Sequence, residues 1–247
     1  GFKFAPSLTH WIVATTPNGP LVVNSCSKNY GLISNEELMM PIVERFENSH
    51  EVEAKVTQWG YSKFYTDFII KDVNVPLKKD MLFPRIRMNN SYDGSVKYQF
   101  SFGFYRLVCE NGLSVPLKGF QSKDIKLRHT PGNTNSAIDT TMKTIEVFLE
   151  NAPKVAASYT ELMDRKLQWD QALQLIADVI EETKFPKKSE EKVIERLTLE
   201  HKEMKLPIND FLVYNALNHT LYNLDTQMKT HKRDKVDQQV LNFLYTR

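Results

Sequence analysis

The sequence predicts an α+β protein in which an antiparallel β-meander follows one helix and is covered by a mostly helical C-terminal half. β-formers and turn dipeptides dominate residues 1–137, whereas Leu, Lys and Glu at helical spacing dominate residues 138–247. The first range has a net charge of +4 and the second of −2, so the whole chain carries +2. The 14 Phe, 10 Tyr and 3 Trp residues can fill a sizeable core, which excludes a disordered chain.

A short strand at Leu21–Asn24 is predicted first, and a helix follows it. Ser34 and Glu37 have the spacing of a capping box, in which each side chain bonds to the backbone N–H of the other residue. Pro41 lies inside this helix and removes a hydrogen bond from its interior. We therefore expect either a kink at Pro41 or a second helix that starts there.

Residues 51–118 form the predicted meander. Alternation of aromatic and polar side chains is clearest over residues 96–109, which is the pattern of a strand with one buried face. Turn residues divide the region into antiparallel hairpins: Gly60, Asp93-Gly94 and Asn111-Gly112.

The remaining chain is predicted to be a loop over residues 119–136 and helical after it. Ser136 and Asp139 form a second capping box, and Pro153 is expected to begin another helix. Two parts follow from this pattern, residues 1–137 and residues 138–247, which we expect to dock as one continuous core or to meet closely near residue 137.

The composition and the missing motifs exclude several classes of protein. Cys26 and Cys109 are too few for a disulfide framework or a metal site, so a reducing cytoplasm is the expected location. No apolar run approaches the roughly 18 residues of a membrane span. The phosphate loop, the dinucleotide fingerprint, the serine elbow and the paired-histidine zinc motif are all missing, so no cofactor and no metal are predicted.

Five short stretches occur in an order that resembles a known family: Asn29–Leu38, Asn90–Ser95, Arg106–Gly112, Arg128–Thr130 and Tyr214–Ala216. Over roughly residues 20–225 the chain resembles the phage/plasmid-like proteins of unknown function, and the Arg-Leu-Val-Cys-x-Asn-Gly segment is the most telling piece. The resemblance implies a bacterial or phage cytoplasmic protein that is encoded on mobile elements. DNA replication, recombination or defence is the setting that it implies, without catalytic residues to carry over.

Basic and aromatic residues interleave along the meander and the loop after it, which is typical of a surface that binds single-stranded nucleic acid. The sequence therefore favours a non-enzymatic protein that binds nucleic acid, single-stranded DNA above all, with a homo-oligomer as a further expectation. The alternative is that the arginines of this set only decorate the solvated face of an antiparallel sheet. Phosphate contacts are assigned to Arg85, Arg87, Arg106, Lys123, Lys126 and Arg128, and base stacking to Tyr92 and Tyr105.

Two other functions stay open at this level. A metal-dependent nuclease or hydrolase would use Glu53 and Lys55, which match the Glu-x-Lys pattern of such enzymes, together with His129 as a general base. His129 equally suits a role in bracing its loop through backbone hydrogen bonds. A protein-binding adaptor would instead use the apolar stripes of the C-terminal helices, unless those stripes are buried within the chain.

Overall fold

The computed structural model describes residues 9–59, 61–78, 80–106, 111–114, 125–130, 134–224, 228 and 230–247. It confirms an α+β fold with antiparallel sheets and a helical C-terminal half. The strands are β1 (Thr9–Thr16), β2 (Gly19–Ser27), β3 (Val52–Trp59), β4 (Lys63–Ile70), β5 (Val75–Leu77), β6 (Asp80–Ser91), β7 (Tyr98–Arg106), β8 (Asn111–Ser114) and β9 (Ile125–Leu127). The helices are α1 (Asn35–Glu47), α2 (Thr134–Asp164), α3 (Trp169–Glu182), α4 (Glu190–Met204), α5 (Asp210–Asn223) and α6 (Thr230–Thr246).

A two-stranded sheet of β1 and β2 stands apart from the main sheet. The sequence predicted only the part of β2 around Leu21–Asn24, because β1 lacks the alternation that marks a half-buried strand. Neither face of this hairpin is deeply buried, and Trp11 is 64% exposed. Its pairing is therefore held mainly by backbone hydrogen bonds rather than by a core.

The main sheet has the strand order β3-β4-β6-β7-β8, while β5 pairs with β6 and β9 pairs with β7. Consecutive long strands are neighbours, so the predicted meander is confirmed. Strand β9 corrects the prediction of a loop over residues 119–136, since Ile125–Leu127 pairs with Tyr98–Phe100. Three residues are too few for a periodic pattern, and only long-range pairing makes them a strand.

Helix α1 begins with the predicted capping box. The amide of Glu37 donates to Oγ of Ser34 over 3.0 Å, and the amide of Ser34 donates to Oε2 of Glu37 over 2.7 Å. The helix continues through Pro41 as one element, so no second helix starts there. Leu38, Ile42 and Phe46 are buried at helical spacing, and this burial offsets the hydrogen bond that Pro41 removes.

Helix α2 corrects two predictions. It runs unbroken from Thr134 to Asp164 with Pro153 inside, so Pro153 does not begin a new helix, and Ser136 lies within the helix rather than at its cap. Both sides of the proline turn are anchored in the core, because Ala152 and Val155 are fully buried. Packing of this kind outweighs the local cost of an interior proline.

The chain divides into two compact units, each built from three stretches of sequence. Unit 1 comprises residues 1–73, 85–102 and 122–149, and unit 2 comprises residues 74–84, 103–121 and 150–247. The boundary that we expect near residue 137 stays a prediction. Within the described residues, no helix has both the length and the apolar character that spanning a membrane requires.

Each unit has its own aromatic core. In unit 1 the ring centroids of Phe102 and Phe148 lie 5.3 Å apart. In unit 2 Tyr159 contacts both Phe104 and Phe211, at centroid distances of 6.2 and 5.7 Å. The aromatic face of β7 that the sequence predicts is therefore buried against helical side chains, as its alternation requires.

Candidate functional site

One face of strands β3, β4 and β6 in unit 1 carries most of the polar groups of this part of the sheet. Lys55, Asp67 and Arg87 lie directly opposite one another across the three strands, and Glu53, Ile69 and Arg85 form the neighbouring row. Residues directly opposite in a sheet share a face. We call this set the polar sheet face, and its polar members are Glu53, Lys55, Asp67, Arg85, Arg87 and Asn89.

An ion pair occupies the centre of the polar sheet face. Arg87 donates from Nε to Oδ1 of Asp67 over 2.6 Å and from Nη2 to Oδ2 over 2.7 Å, which is a bidentate pair. Burial opposes the charged form of Asp67, but the charge and hydrogen bonds of Arg87, together with the charges of Arg85 and Lys55, outweigh it. They hold the pKa of Asp67 below its usual range.

The pair that suggested nuclease chemistry lies at the outer strand of this face. Oε2 of Glu53 is 2.6 Å from Nζ of Lys71, and Oε1 is 3.5 Å from Nζ of Lys55. The hydrogen bond from Lys71 is the main cause that lowers the pKa of Glu53. In the part of the chain that is described, no group of three or more His, Cys, Asp or Glu side chains is arranged to hold a metal ion. Catalysis by Glu53, Lys55 and His129 stays a prediction.

A second cluster in unit 1 joins three of the stretches that carry the family resemblance. The rings of Tyr30 and His129 stack with centroids 5.1 Å apart and planes within 10°. The amide of Gly31 donates to the carbonyl of His129 over 2.9 Å, and the hydroxyl of Tyr30 donates to the carbonyl of Ser91 over 3.3 Å. These contacts bring residues 26–31, 91–97 and 128–130 together.

Exposed cations lie close along the chain to the residues of this cluster. Lys28, Lys97 and Arg128 are all exposed and each lies one or two residues from a group in this cluster. We call the set of Lys28, Tyr30, Tyr92, Lys97, Arg128 and His129 the aromatic-basic surface. Asp93 is the acidic residue of the loop, and Lys63 lies 3.4 Å from it. The cluster therefore presents an excess of positive charge beside aromatic planes.

Burial sets the protonation of both stacked rings. It raises the pKa of Tyr30 to about 12, with added repulsion from Cys26, Asp93 and Tyr92. It lowers the pKa of His129, although contacts with the backbone of Val96 and Gly31 oppose that shift. At neutral pH both rings are uncharged, which suits them to stacking rather than to phosphate neutralisation. The backbone contacts of His129 are those of a residue that braces its loop.

Tyr92 is half-buried at the edge of this surface. Its hydroxyl accepts a hydrogen bond from the amide of Asn35 over 2.9 Å, and its carbonyl accepts one from Nδ2 of Asn24 over 3.1 Å. Asn90 donates from Nδ2 to the carbonyl of Ile33 and to Oδ1 of Asn35. The loop after β6 is thus tied to the start of α1, which keeps the aromatic-basic surface in one arrangement.

The structure corrects the role expected of Arg106. Its side chain is fully buried in unit 2, where Nη1 lies 2.8 Å from Oε2 of Glu200 and Nε donates to Asp80. Arg196 also donates to Glu200, over 2.8 Å. The guanidinium lies 5.8 Å from the centroid of the Phe211 ring. A cation enclosed in this way neutralises carboxylates of its own chain and does not reach a phosphate.

Three other candidates are also buried. Arg85, Arg87 and Tyr105 are 4, 8 and 5% exposed, so they do not offer the solvated surface that contact with a nucleic-acid strand requires. Both arginines lie on the face of β6 opposite Ile86 and Met88, as their alternation predicts, but they are buried there, whereas Glu53 and Lys55 on the same face of β3 are partly exposed. Lys123 and the side chain of Lys126 lie outside the described residues, although the backbone of Lys126 pairs with Gln99 in β9.

A hydrogen-bond network surrounds one buried carboxylate in unit 2. Asp237 accepts from Oγ of Ser114 over 2.5 Å, from Nδ2 of Asn218 over 2.7 Å and from the hydroxyl of Tyr214 over 3.2 Å. Burial raises the pKa of Asp237 to about 6, although these hydrogen bonds oppose the shift. Burial also raises the pKa of Tyr214 well above its usual range. Ser114, Asn218 and Asp237 lack the access to solvent that a substrate would need.

Most of the apolar stripes that suggested a protein-binding adaptor are buried. Leu212, Leu217 and Leu221 of α5 and Leu241 and Leu244 of α6 are each at most 1% exposed. Helices α5 and α6 both contact β8 within unit 2. Leu224, which continues the stripe of α5, is half-buried and lines a groove together with the exposed Leu199, so the adaptor stays a prediction.

An apolar groove of about 370 Å³ lies beside α1 in unit 1. Ile42, Phe46, Val52 and Phe68 line it, and His50 stands at its rim with Nδ1 2.8 Å from Oδ2 of Asp72. No candidate residue from the sequence lines this groove. Its walls offer few converging polar groups, so it lacks the features that orient a specific small ligand.

Five residues of these clusters were not assigned a role from the sequence: Lys28, Tyr30, Lys97, Asp67 and Asn89. Tyr30 lies in a family stretch, and its aromatic ring beside Lys28 is a signal that the sequence contained. Asp67 is a single polar residue within a β-rich stretch, and only the strand register places it opposite Arg87; Asn89 shares a face with Arg85 and Arg87 by alternation along β6. A sequence has no local signal for which residues face each other across strands.

The fold and these clusters define an α+β protein with one exposed aromatic-basic surface and several buried ionic groups. The chain belongs to the protein family described as a domain of unknown function, DUF932, which matches residues 22–241. No curated protein and no solved structure matches the chain.

Proposed function

We propose that this protein binds single-stranded nucleic acid, DNA above all, through the aromatic-basic surface and without cleaving it. The observation that carries the proposal is the Tyr30–His129 stack, together with the exposed Lys28, Lys97 and Arg128 in the chain segments that form it. Aromatic planes beside cations bind single strands without reading sequence, because every base has a face to stack and every nucleotide has a phosphate.

The small net charge of the chain favours attraction of nucleic acid by one group of cations over attraction by the whole protein surface. With a net charge of +2, the protein has no field that would draw nucleic acid to its entire surface. Binding would therefore depend on the few cations that are concentrated at one place. Arg128 and Tyr92 keep the roles that the sequence assigned to them, whereas Arg85, Arg87, Arg106 and Tyr105 do not.

The setting of this activity follows from the resemblance to phage/plasmid-like proteins. It implies a bacterial cytoplasmic protein of mobile elements, acting where single strands are exposed during replication, recombination or defence. Association of copies of the chain along a strand is part of the same proposal, since cooperative binding is common among proteins of this kind.

Fluorescence anisotropy with labelled single- and double-stranded oligonucleotides tests the proposal. Three phosphate contacts give a log–log salt slope of about −2 on a single strand, so raising salt from about 50 to about 200 mM should weaken binding about twentyfold. The triple variant Lys28→Glu, Lys97→Glu, Arg128→Glu should abolish this binding. Electrophoresis of the oligonucleotide after incubation with Mg²⁺ or Mn²⁺ distinguishes binding from cleavage.

A matched control makes the same change of charge elsewhere. Lys187, Lys188 and Lys192 are exposed residues at the start of α4, and their replacement by Glu also lowers the net charge by six. We expect this control to bind single strands within about twofold of the wild type, because screened charges that lie outside the contact contribute little. Equal loss in both triple variants, or no binding by the wild type at low salt, would contradict the proposal.

A further inference from the structure

The polar sheet face contains a buried arginine, two of whose guanidinium nitrogen atoms donate no hydrogen bond. Arg85, Arg87 and Arg106 are the buried arginines of the described residues. Arg87 is paired with Asp67, and Arg106 is paired with Asp80 and Glu200. Nε and Nη1 of Arg85 are buried and make no hydrogen bond. Asp67 lies close enough to interact with the charge of Arg85, but among the described residues no carboxylate accepts a hydrogen bond from Nε or Nη1 of Arg85.

The carboxylates nearest to Arg85 in the strand register are already occupied. Its direct neighbour on β4 is the apolar Ile69, beyond which Glu53 lies on β3. Glu53 accepts from Lys71 over 2.6 Å, and both oxygens of Asp67 accept from Arg87. Glu53 and Asp67 are thus each paired with a cation other than Arg85, and neither accepts from Nε or Nη1 of Arg85.

Arginine cannot relieve this situation by losing its proton. A buried lysine, histidine or carboxyl group can become neutral, but the guanidinium stays charged at all accessible pH values. Buried charges in native proteins are paired or bound to a ligand, because an isolated buried charge is very unfavourable. An anion that accepts from Nε and Nη1 of Arg85 would satisfy these two donors and add to the compensation that Asp67 gives.

A second orphan group lies on the same face. Asn89 is fully buried, and neither Nδ2 nor Oδ1 of its amide has a hydrogen-bond partner. Arg85 and Asn89 flank Arg87 at alternate positions of β6, so all three point to one side of the sheet. Unpaired donors at two positions of one buried face are unusual in native proteins and indicate that a polar species occupies it.

We propose that the polar sheet face binds a small oxyanion of the phosphate type at Arg85. The planar guanidinium matches the oxygens of such an ion better than it matches a spherical anion, and Lys55 and Arg87 add positive charge on the same face. Because Arg85 is 4% exposed and Asn89 is fully buried, a free ion suits the site better than a phosphate that is part of a polymer. The site shares no residue with the aromatic-basic surface, so it stands independently of nucleic-acid binding there.

Equilibrium dialysis of the wild type against radiolabelled inorganic phosphate tests the site directly, with one ion bound per chain as the expected result. Thermal unfolding gives a second readout. At a phosphate concentration about a hundredfold above Kd, Tm should rise by about 5 °C over a sodium chloride solution of equal ionic strength. A rise that chloride reproduces, or no bound phosphate, would overturn the proposal.

Two variants assign the binding to Arg85. Arg85→Met removes the charge and keeps the length of the side chain, so it should lose phosphate binding while its Tm without phosphate equals or exceeds that of the wild type. Arg85→Lys keeps a cation and should bind phosphate about tenfold more weakly, since it lacks the fork of donors. If Arg85→Met does not fold, the lysine variant still decides, because unchanged affinity there contradicts the assignment.

Arg45→Met is the matched control, because Arg45 makes an exposed ion pair with Glu146 and its replacement changes the net charge equally. This variant should bind phosphate as the wild type does. Loss of binding in this variant would contradict the assignment of the site to Arg85. An oligonucleotide with a 5′-phosphate, compared with the same strand without it, tests whether the phosphate group can come from a strand end. If only the phosphorylated strand competes with inorganic phosphate, the site also binds a strand end. If neither strand competes, the site binds the free ion.

Discussion

At the scale of single residues, the buried charges of this protein differ in how they are balanced. Arg106 is shared between Asp80 and Glu200 in unit 2, Arg87 holds Asp67 in unit 1, and Asp237 is surrounded by neutral donors. Removing one member of a buried ion pair leaves an uncompensated charge, which is why such groups resist substitution. Among the described residues no cation pairs with Asp237, so whether its carboxyl group is charged depends on pH.

The stability of the protein should therefore depend on Asp237 between about pH 4 and pH 6. The pKa of Asp237 is about 6 in the folded protein, against 3.8 for an ordinary carboxyl group, so the folded state binds the proton more tightly than the unfolded state does. The free energy of unfolding then decreases as pH rises through this interval, by about 3 kcal/mol for this group alone. Urea unfolding at intervals of pH measures it.

Asp237→Asn should remove this part of the pH dependence, because its amide does not titrate. The comparison is the slope of unfolding free energy against pH, which is unaffected by a constant loss of stability from the altered hydrogen bonds. Asp178→Asn, on a residue that bonds to Gln174 near the surface of α3, should keep the slope of the wild type. Equal slopes for Asp237→Asn and the wild type would show that another group titrates in this interval.

At the scale of elements, α1 is stabilised by a local cap at its start and by packing around the proline in its interior. The capping box at Ser34 and Glu37 fixes where the helix begins, and the loop that carries Tyr92 bonds to its first residue, Asn35. Pro41 would break a helix that depended on its own hydrogen bonds alone. Burial of Leu38 and Ile42 on either side keeps it continuous.

Ser34→Ala should reduce the free energy of unfolding by about 1 kcal/mol, since it leaves the amide of Glu37 without its acceptor. Ser34→Thr keeps the hydroxyl oxygen and should stay within about 0.5 kcal/mol of the wild type. Chemical unfolding followed by circular dichroism measures both. If alanine and threonine have the same effect, the cap contributes nothing to stability.

At the scale of the whole molecule, neither compact unit is one continuous stretch of chain. Unit 2 takes Asp80 from residues 74–84 and Ser114 from residues 103–121, in addition to the C-terminal helices. Glu200 and Asp237 in those helices depend on partners from the earlier stretches. A division of the chain at one point cannot reproduce such a unit.

A fragment of residues 138–247 should therefore lack a cooperative thermal transition, because Glu200 loses Arg106 and Asp237 loses Ser114. A fragment of residues 74–247 keeps every stretch of unit 2 and should retain such a transition. Circular dichroism on heating compares the two. Cooperative unfolding of the shorter fragment would instead support a boundary near residue 137.

The sequence by itself determined the features that depend on neighbours along the chain. Alternation over β7, the capping box of α1 and the apolar spacing of α5 each predict an element, because the periods of strands and helices are local properties. The assignment of Tyr92 and Arg128 to nucleic-acid binding also came from local patterns, as polar residues in stretches between predicted elements, and it stays a prediction.

Tertiary structure alone decided which charged residues face solvent. The same alternation that places Arg85 and Arg87 on one face of a strand does not say whether that face is open, and the spacing around Arg106 does not show Asp80 and Glu200 beside it. It also joined Ile125–Leu127 to β7 and carried α2 through Pro153. Burial is a sum over contacts between residues far apart in the chain, so a local pattern cannot determine it.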